Sequence, residues 1–168
     1  MLPRAIAIIR ILIGLAVLAL GISQLMDPAL LYGGLLHNLS DHGQPYDFYQ
    51  RYFLGRFVEL HQEFFAHVMA IAEVLVGLSF LAGALVSLAS LGGAFLMLNF
   101  GLAVSQGRPL VMAVHVLLAL VFLALGRYGA GLTWGVDGWL SRRINEVLVL
   151  FPLRFSLPGY FSEEDPSR

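Results

Sequence analysis

Four polar side chains within or beside long apolar segments are the best candidates for chemistry in this chain: Gln24, Glu73, Asn99 and His115. Glu73 lies in the middle of AHVMAIAEVLVGLSFLAGAL, residues 66–85, and is the only acid of that stretch. An ionisable group at such a depth is costly, and it normally faces other helices and has a partner. Either Glu73 ties helices together through Asn99 or His115, or the four residues exchange protons or bind a polar head group.

The elements that must position these residues are membrane-spanning helices. Hydrophobic residues make up 58% of the chain and charged residues 12%, whereas soluble domains are roughly one quarter charged. Segments of a length that crosses about 30 Å of hydrocarbon cover residues 5–26, 64–86, 88–105 and 109–127. The sequence therefore predicts an all-α membrane protein, with a four-helix transmembrane domain over residues 1–132 and an interfacial helix and tail over residues 133–168. Spans two and three should form a tight antiparallel hairpin.

Amphipathic helices are predicted in two places outside the spans. From Pro45, the first connection (residues 27–63) has the aromatic and charged pattern of a helix at the membrane interface. After the fourth span, Asp137 is placed to cap the helix GWLSRRINEVLVLF, whose apolar residues recur at helical spacing. Small residues at helical spacing in the spans, including Gly14 and Gly21, predict close helix packing.

The histidines and acids give little support for a metal or haem site. Glu59, Glu63 and His67 recur every four residues, but neither HxxxH nor HExxH occurs, and we interpret them as a solvated helix face. His67 and His115 lie on different predicted helices, yet nothing in their spacing sets them at one depth as haem ligands. The chain contains no cysteine, which excludes cysteine-ligated clusters. We predict no metal and no covalently bound cofactor.

The distribution of arginines predicts the orientation in the membrane. All ten basic residues are arginines; seven lie in the terminal segments, and three lie in the connections on the opposite side, at Arg51, Arg56 and Arg108. Because positive charge favours the cytoplasmic side, we predict that both termini are cytoplasmic and that residues 27–63 lie outside. The net charge of −1 gives no basic face for nucleic acid.

Three stretches resemble the DoxX-like membrane family, specifically the DoxD-type small subunit of thiosulfate:quinone oxidoreductase. They are RILIGLAVLALGISQL in the first span, AEVLVGLSFLAGALVSLAS across the predicted hairpin and GRYGAGLTWGVDGWL after the fourth span. The family's arginine followed by spaced glycines corresponds to Arg10, Gly14 and Gly21. Its glutamate before a glycine-bearing apolar run corresponds to Glu73 and Gly77.

The resemblance implies an auxiliary membrane subunit of a quinone-linked oxidoreductase, acting beside other membrane subunits in a bacterial or archaeal plasma (inner) membrane. It makes Glu73 the candidate catalytic residue, and Gln24, Glu73, Asn99 and His115 the candidate quinone cluster. The family often has a basic residue where this chain has Gln24, which weakens the case for an anionic substrate such as thiosulfate. Two alternatives from other classes stay open: a non-catalytic scaffold subunit of a larger membrane complex, and a small oligomeric transporter.

Overall fold

The computed structural model describes residues 2–141, which are helical apart from short connections. In chain order the α-helices are α1 (Leu2–Leu25), α2 (Leu35–His42), α3 (Asp47–Tyr49), α4 (Gln62–Ala82), α5 (Val86–Val104), α6 (Pro109–Arg127) and α7 (Val136–Leu140). A π-helical stretch covers Gln50–Val58, and a 3-10 turn covers Glu59–His61. The segment Leu30–Gly34 is a kink, with non-helical backbone angles at Tyr32 and Gly33. Only the start of the predicted C-terminal interfacial helix falls within α7, and its remainder lies outside the described residues.

The helices α1, α4, α5 and α6 are long and apolar enough to cross a membrane, which confirms the predicted all-α four-helix membrane bundle. Their bounds fall within a few residues of the predicted spans. Large apolar side chains cover the outward faces, as at Leu12 and Leu117, which are 60% and 61% exposed. A helix that is hydrophobic all round belongs in lipid or in a deep core. The bundle is therefore a multi-pass membrane protein.

The four spans pack as two antiparallel pairs. Helix α1 lies along α4, α5 lies along α6, and the pairs meet where α4 touches α5. We call the end that holds the α4–α5 turn (residues 83–85) the hairpin end, and the end that holds residues 26–61 and 105–108 the connector end. In the hairpin half, Phe80 meets Phe122 edge to face at 5.2 Å between ring centroids. A second apolar cluster lies in the connector half around Leu54, Val58 and Ala66.

Glycines set the close contact between α1 and α4. A Cβ added to Gly77 would lie 2.6 Å from the backbone nitrogen of Leu18, and one added to Gly21 would lie 2.8 Å from that of Val74. Gly14 approaches α4 in the same way, with an added Cβ 2.9 Å from the Cβ of Phe80. The close packing predicted from Gly14 and Gly21 is confirmed. It is possible because these glycines have no side chain between the two helices.

We expect Gly77→Ala to lower the free energy of unfolding by about 1–3 kcal/mol, because the new methyl group must push α1 away from α4. Gly92→Ala on α5 is the matched control, since its added Cβ would meet only Val76 Cγ2, at an ordinary 3.5 Å. Unfolding in mixed detergent micelles, followed by circular dichroism, measures both. Equal losses for the two variants would contradict the packing argument.

A buried arginine joins α1 to the segment that follows α6. Arg10 is 0% exposed. Its Nη1 donates to the carbonyl oxygen of Ala130 at 2.8 Å, and its Nη2 donates to that of Trp134 at 3.1 Å. The α4–α5 turn beside Arg10 needs glycine at position 83 for two reasons. Gly83 has φ +65°, a backbone conformation that favours glycine, and a Cβ there would collide with the Arg10 guanidinium. Arg10 thus supplies donors to carbonyls that no helix satisfies.

Asp137 caps α5, and the prediction that it caps its own helix is wrong. The N-cap of α7 is Gly135, and Asp137 lies in the first turn. Its carboxylate accepts hydrogen bonds from the backbone amides of Leu85 at 2.7 Å and Val86 at 3.0 Å. Helix α5 begins directly after the turn, and the Leu85 side chain at its N-cap cannot accept a hydrogen bond. A carboxylate 51 or 52 residues away in sequence therefore satisfies these amides.

Asp137 and Arg10 also interact as charges. Burial raises the pKa of the Asp137 carboxyl, and the amides of Val86 and Leu85 and the Arg10 guanidinium partly offset that shift. Asp137 is only 2% exposed. Its charge is therefore compensated by amide donors and by Arg10, as buried charges require. Together the two residues connect α1, the α4–α5 turn and the segment after α6.

We expect Arg10→Gln to lower the free energy of unfolding by roughly 2–4 kcal/mol, because the carbonyls of Ala130 and Trp134 lose their charged donor and the buried Asp137 loses part of its charge compensation. Arg127→Gln makes the same change in charge at the exposed end of α6 and should have little effect. The same detergent titration measures both variants. A similar loss in each would show that Arg10 does not anchor the hairpin end.

Candidate functional site

A cavity of about 410 Å³ lies in the connector half, between α4 and α5 and beneath residues 35–58. This volume falls in the range of pockets that hold small organic ligands. Among the described residues none of those that line the cavity is charged, and only Tyr49 and Asn99 have polar side chains. Four phenylalanines contribute to the wall: Phe53, Phe65, Phe95 and Phe100. The cavity suits a neutral, mainly apolar molecule.

Residues 46–58 form the roof of this cavity. They include the π-helical stretch Gln50–Val58, a wide-turn geometry that is frequent at functional sites. The rings of Tyr49 and Phe53 lie 5.1 Å apart, and the Phe53 ring meets that of Phe65 on α4 at 5.8 Å. These contacts join the roof to the wall. The predicted amphipathic helix of the first connection therefore covers the cavity.

Hydrogen bonds hold the start of the roof and the residues just before it to the end of α5 and the α5–α6 connection. The amide of Tyr46 donates to the carbonyl oxygen of Leu102 at 3.0 Å, and the amide of Gln106 donates to that of Gln44 at 2.9 Å. The guanidinium of Arg108 donates to the carbonyl oxygen of His42 at 2.6 Å. The cavity is thus built from rigid helices below and a tethered segment above.

Tyr49 and Asn99 form the polar contact of the cavity. The Tyr49 hydroxyl donates to Asn99 Oδ1 at 2.8 Å, and Asn99 Nδ2 donates to the carbonyl oxygen of Phe95 at 2.7 Å. Sequence reasoning singled out Asn99 but missed Tyr49. The available signal was a tyrosine among the phenylalanines of the entry helix, since a buried phenol normally needs a hydrogen-bond partner.

Glu73 has Gln24 as its partner, instead of the Asn99 or His115 that we expected. Gln24 Nε2 donates to Glu73 Oε2 at 2.9 Å, and Glu73 is 3% exposed at the α1–α4 contact. Gln24 Oε1 is buried and has no hydrogen-bond partner within residues 2–141. Interhelical hydrogen bonding of Glu73, one of the two interpretations of the sequence, is therefore what the geometry shows.

His115 lies apart from both pairs. Its Nδ1 is 2.8 Å from the carbonyl oxygen of Val111 on its own helix. A Cβ added to Gly101 would lie 3.0 Å from the Cβ of His115. His67 similarly bonds within its helix, to the carbonyl oxygen of Glu63 at 2.7 Å. The four predicted residues thus divide into Gln24–Glu73, Asn99 with Tyr49, and His115. Within residues 2–141 no group of three or more histidines and acids is placed to hold a metal ion.

Comparison with family models, curated proteins and solved structures finds no match to this chain. The geometry of the cavity and of the polar pairs therefore carries the functional argument.

The Gln24–Glu73 bond predicts a specific double-mutant coupling. We expect Glu73→Gln to retain stability and Glu73→Leu to cost about 0.6–2 kcal/mol, the usual range for a hydrogen bond between membrane helices. The cycle of Gln24→Leu with Glu73→Leu should show coupling of that size. The cycle of Asn99→Leu with Glu73→Leu is the control and should be additive. Coupling in the control alone would contradict the observed pairing.

Proposed function

We propose that this chain is an auxiliary membrane subunit of a quinone-linked oxidoreductase, in which it binds the quinone and a partner subunit carries the redox centre. The observation that supports this most directly is the apolar cavity with one tyrosine–asparagine pair. An isoprenoid quinone is neutral, has a long apolar chain and has carbonyl groups on a flat ring. These properties match a cavity with aromatic walls, no lining charge and a single polar contact.

The chemistry of the cavity lining also indicates which subunit would act on a charged substrate. An anionic substrate would need fixed positive charge or many donors, and the residues lining this cavity offer neither. We therefore assign oxidation of a charged substrate to the partner subunit. Two ionisable residues of α4 neighbour cavity-lining residues along the chain: His67 precedes Val68, and Glu73 follows Ala72. Of the two, Glu73 is the buried one. In this proposal Glu73 exchanges protons with the reduced quinone.

The resemblance to the DoxX-like family supports the same function, because members of that family act beside a second subunit. The excess of arginine in the terminal segments supports an orientation with the hairpin end at the cytoplasm. The cavity then lies in the outer half of the plasma membrane of a bacterium or archaeon. Quinones partition into this hydrocarbon layer, so a subunit with such a cavity is well placed to deliver or accept them.

The test is purification of the tagged chain from its native membrane in mild detergent. We expect a stable assembly with at least one redox protein, identified by mass spectrometry, together with extractable quinone. An untagged strain processed in parallel controls for quinone carried over with lipid. A stable assembly without any redox protein would support the scaffold alternative. A homo-oligomer that binds no quinone and moves a solute in liposomes would support the transporter.

A further inference from the structure

We infer that the cavity takes a neutral amphiphile directly from the bilayer, through a lateral opening between α4 and α5, and holds its polar head against Tyr49 and Asn99. The choice of a quinone as that amphiphile rests on the proposed function. The entry route, the head-group contact and the position of the apolar chain are independent of it, because they follow from burial and hydrogen bonding within the cavity.

The exposed part of the cavity wall faces the hydrocarbon. Val68 on α4 is 47% exposed and Phe95 on α5 is 66% exposed, and both residues line the cavity. At the connector end, by contrast, the lining residues Leu35, Leu54 and Val58 are only 4%, 3% and 2% exposed. A molecule dissolved in the bilayer therefore meets an opening, whereas one arriving from water meets a closed apolar roof.

The polar contact lies in the half of the cavity nearer the interface, with Phe100 and Ala103 lining the cavity beyond it. Asn99 is five residues before the end of α5 at Val104, and the deeper lining at Ala72 and Gly92 is apolar. A bound amphiphile would thus keep the orientation that it has in the bilayer, with its head toward the connector end. This match removes the need to invert the ligand during entry.

The Tyr49–Asn99 pair has the hydrogen-bonding capacity for both a carbonyl and a hydroxyl. The asparagine amide has two hydrogens, and the carbonyl oxygen of Phe95 accepts one of them, so the other is available for a ligand carbonyl. The phenol oxygen of Tyr49 donates its hydrogen to Asn99 and keeps lone pairs that accept from a ligand hydroxyl. Oxidised and reduced quinone rings present these two groups in turn.

Gly92 leaves the deep end of the cavity open. A Cβ at this position would contact only Val76 Cγ2, at 3.5 Å, and Gly92 itself lines the cavity. Gly92→Leu should therefore fill the space of the apolar chain while α4 and α5 stay in place. Leu98→Phe on the outward face of the same helix, where Leu98 is 40% exposed, adds bulk outside the cavity and serves as the control.

The binding test uses the full chain in phosphatidylcholine nanodiscs and a photoreactive azidobenzoquinone with a ten-carbon chain. We expect cross-links at the cavity wall, mapped by mass spectrometry, and a loss of at least about tenfold in Gly92→Leu but not in Leu98→Phe. Competition by decylbenzoquinone should weaken about five- to tenfold in Tyr49→Phe and Asn99→Leu. Competition by decylbenzene, which has no carbonyl, should be unchanged in these two variants.

The route is tested with a nitroxide attached to the single thiol of Val68→Cys, because the native chain has no cysteine. Lateral opening predicts strong relaxation of the spin by dissolved oxygen, weak relaxation by an aqueous nickel chelate, and a change of mobility when decylbenzoquinone is added. Strong relaxation by the nickel chelate would overturn the lateral route.

Three further results would overturn the inference. The first is cross-linking that survives Gly92→Leu. The second is a competition by decylbenzoquinone and by decylbenzene that weakens equally in Tyr49→Phe and Asn99→Leu. The third is a bound phospholipid that decylbenzoquinone cannot displace. Ala72→Leu, which fills the cavity from α4, replaces Gly92→Leu if that variant is not monodisperse and helical.

Cavity labelling without a redox partner in the native purification would refute the proposed function alone. A redox partner without cavity labelling would refute this inference alone.

Discussion

A guanidinium and a carboxylate buried at the hairpin end allow the four spans to meet as one bundle. Backbone polar groups at membrane depth must find partners within the protein. The chain after α6 leaves carbonyls at Ala130 and Trp134, and the start of α5 leaves amides at Leu85 and Val86. Arg10 satisfies the carbonyls and Asp137 satisfies the amides. Without these side chains, the end of the bundle would contain unpaired backbone groups of both kinds.

The two halves of the bundle differ in how closely their helices pack. Near the hairpin end, the contacts of Gly14 and Gly77 and the Phe80–Phe122 pair close the space between helices. Toward the connector end, α4 and α5 separate enough to leave a cavity of about 410 Å³. The residues of the first connection then cover the gap from above.

The polar groups of the spans serve different purposes according to what surrounds them. Gln24 and Glu73 meet where Gly21 brings α1 against α4, so their bond joins two closely packed helices. Tyr49 and Asn99 meet where α5 faces the cavity, so their bond lies in the cavity wall. His115 faces the glycine at position 101 and bonds within its own helix. A single cluster of four residues is thereby replaced by a pair between α1 and α4, a cavity-lining pair and a helix contact.

The sequence by itself determined the membrane class, the four spans and the tight turn between α4 and α5. Length and hydropathy are local properties of a segment, and they decide whether that segment crosses the bilayer. It also identified Glu73 and Asn99 as unusual, since polar side chains are costly in hydrocarbon. Only the tertiary structure decided their partners, which depend on how each helix is rotated about its axis. The same holds for Asp137, whose cap on α5 requires the chain to return to the α4–α5 turn after α6. The cavity has no sequence signature, because it is the space left between residues distant along the chain, and that space is set by packing.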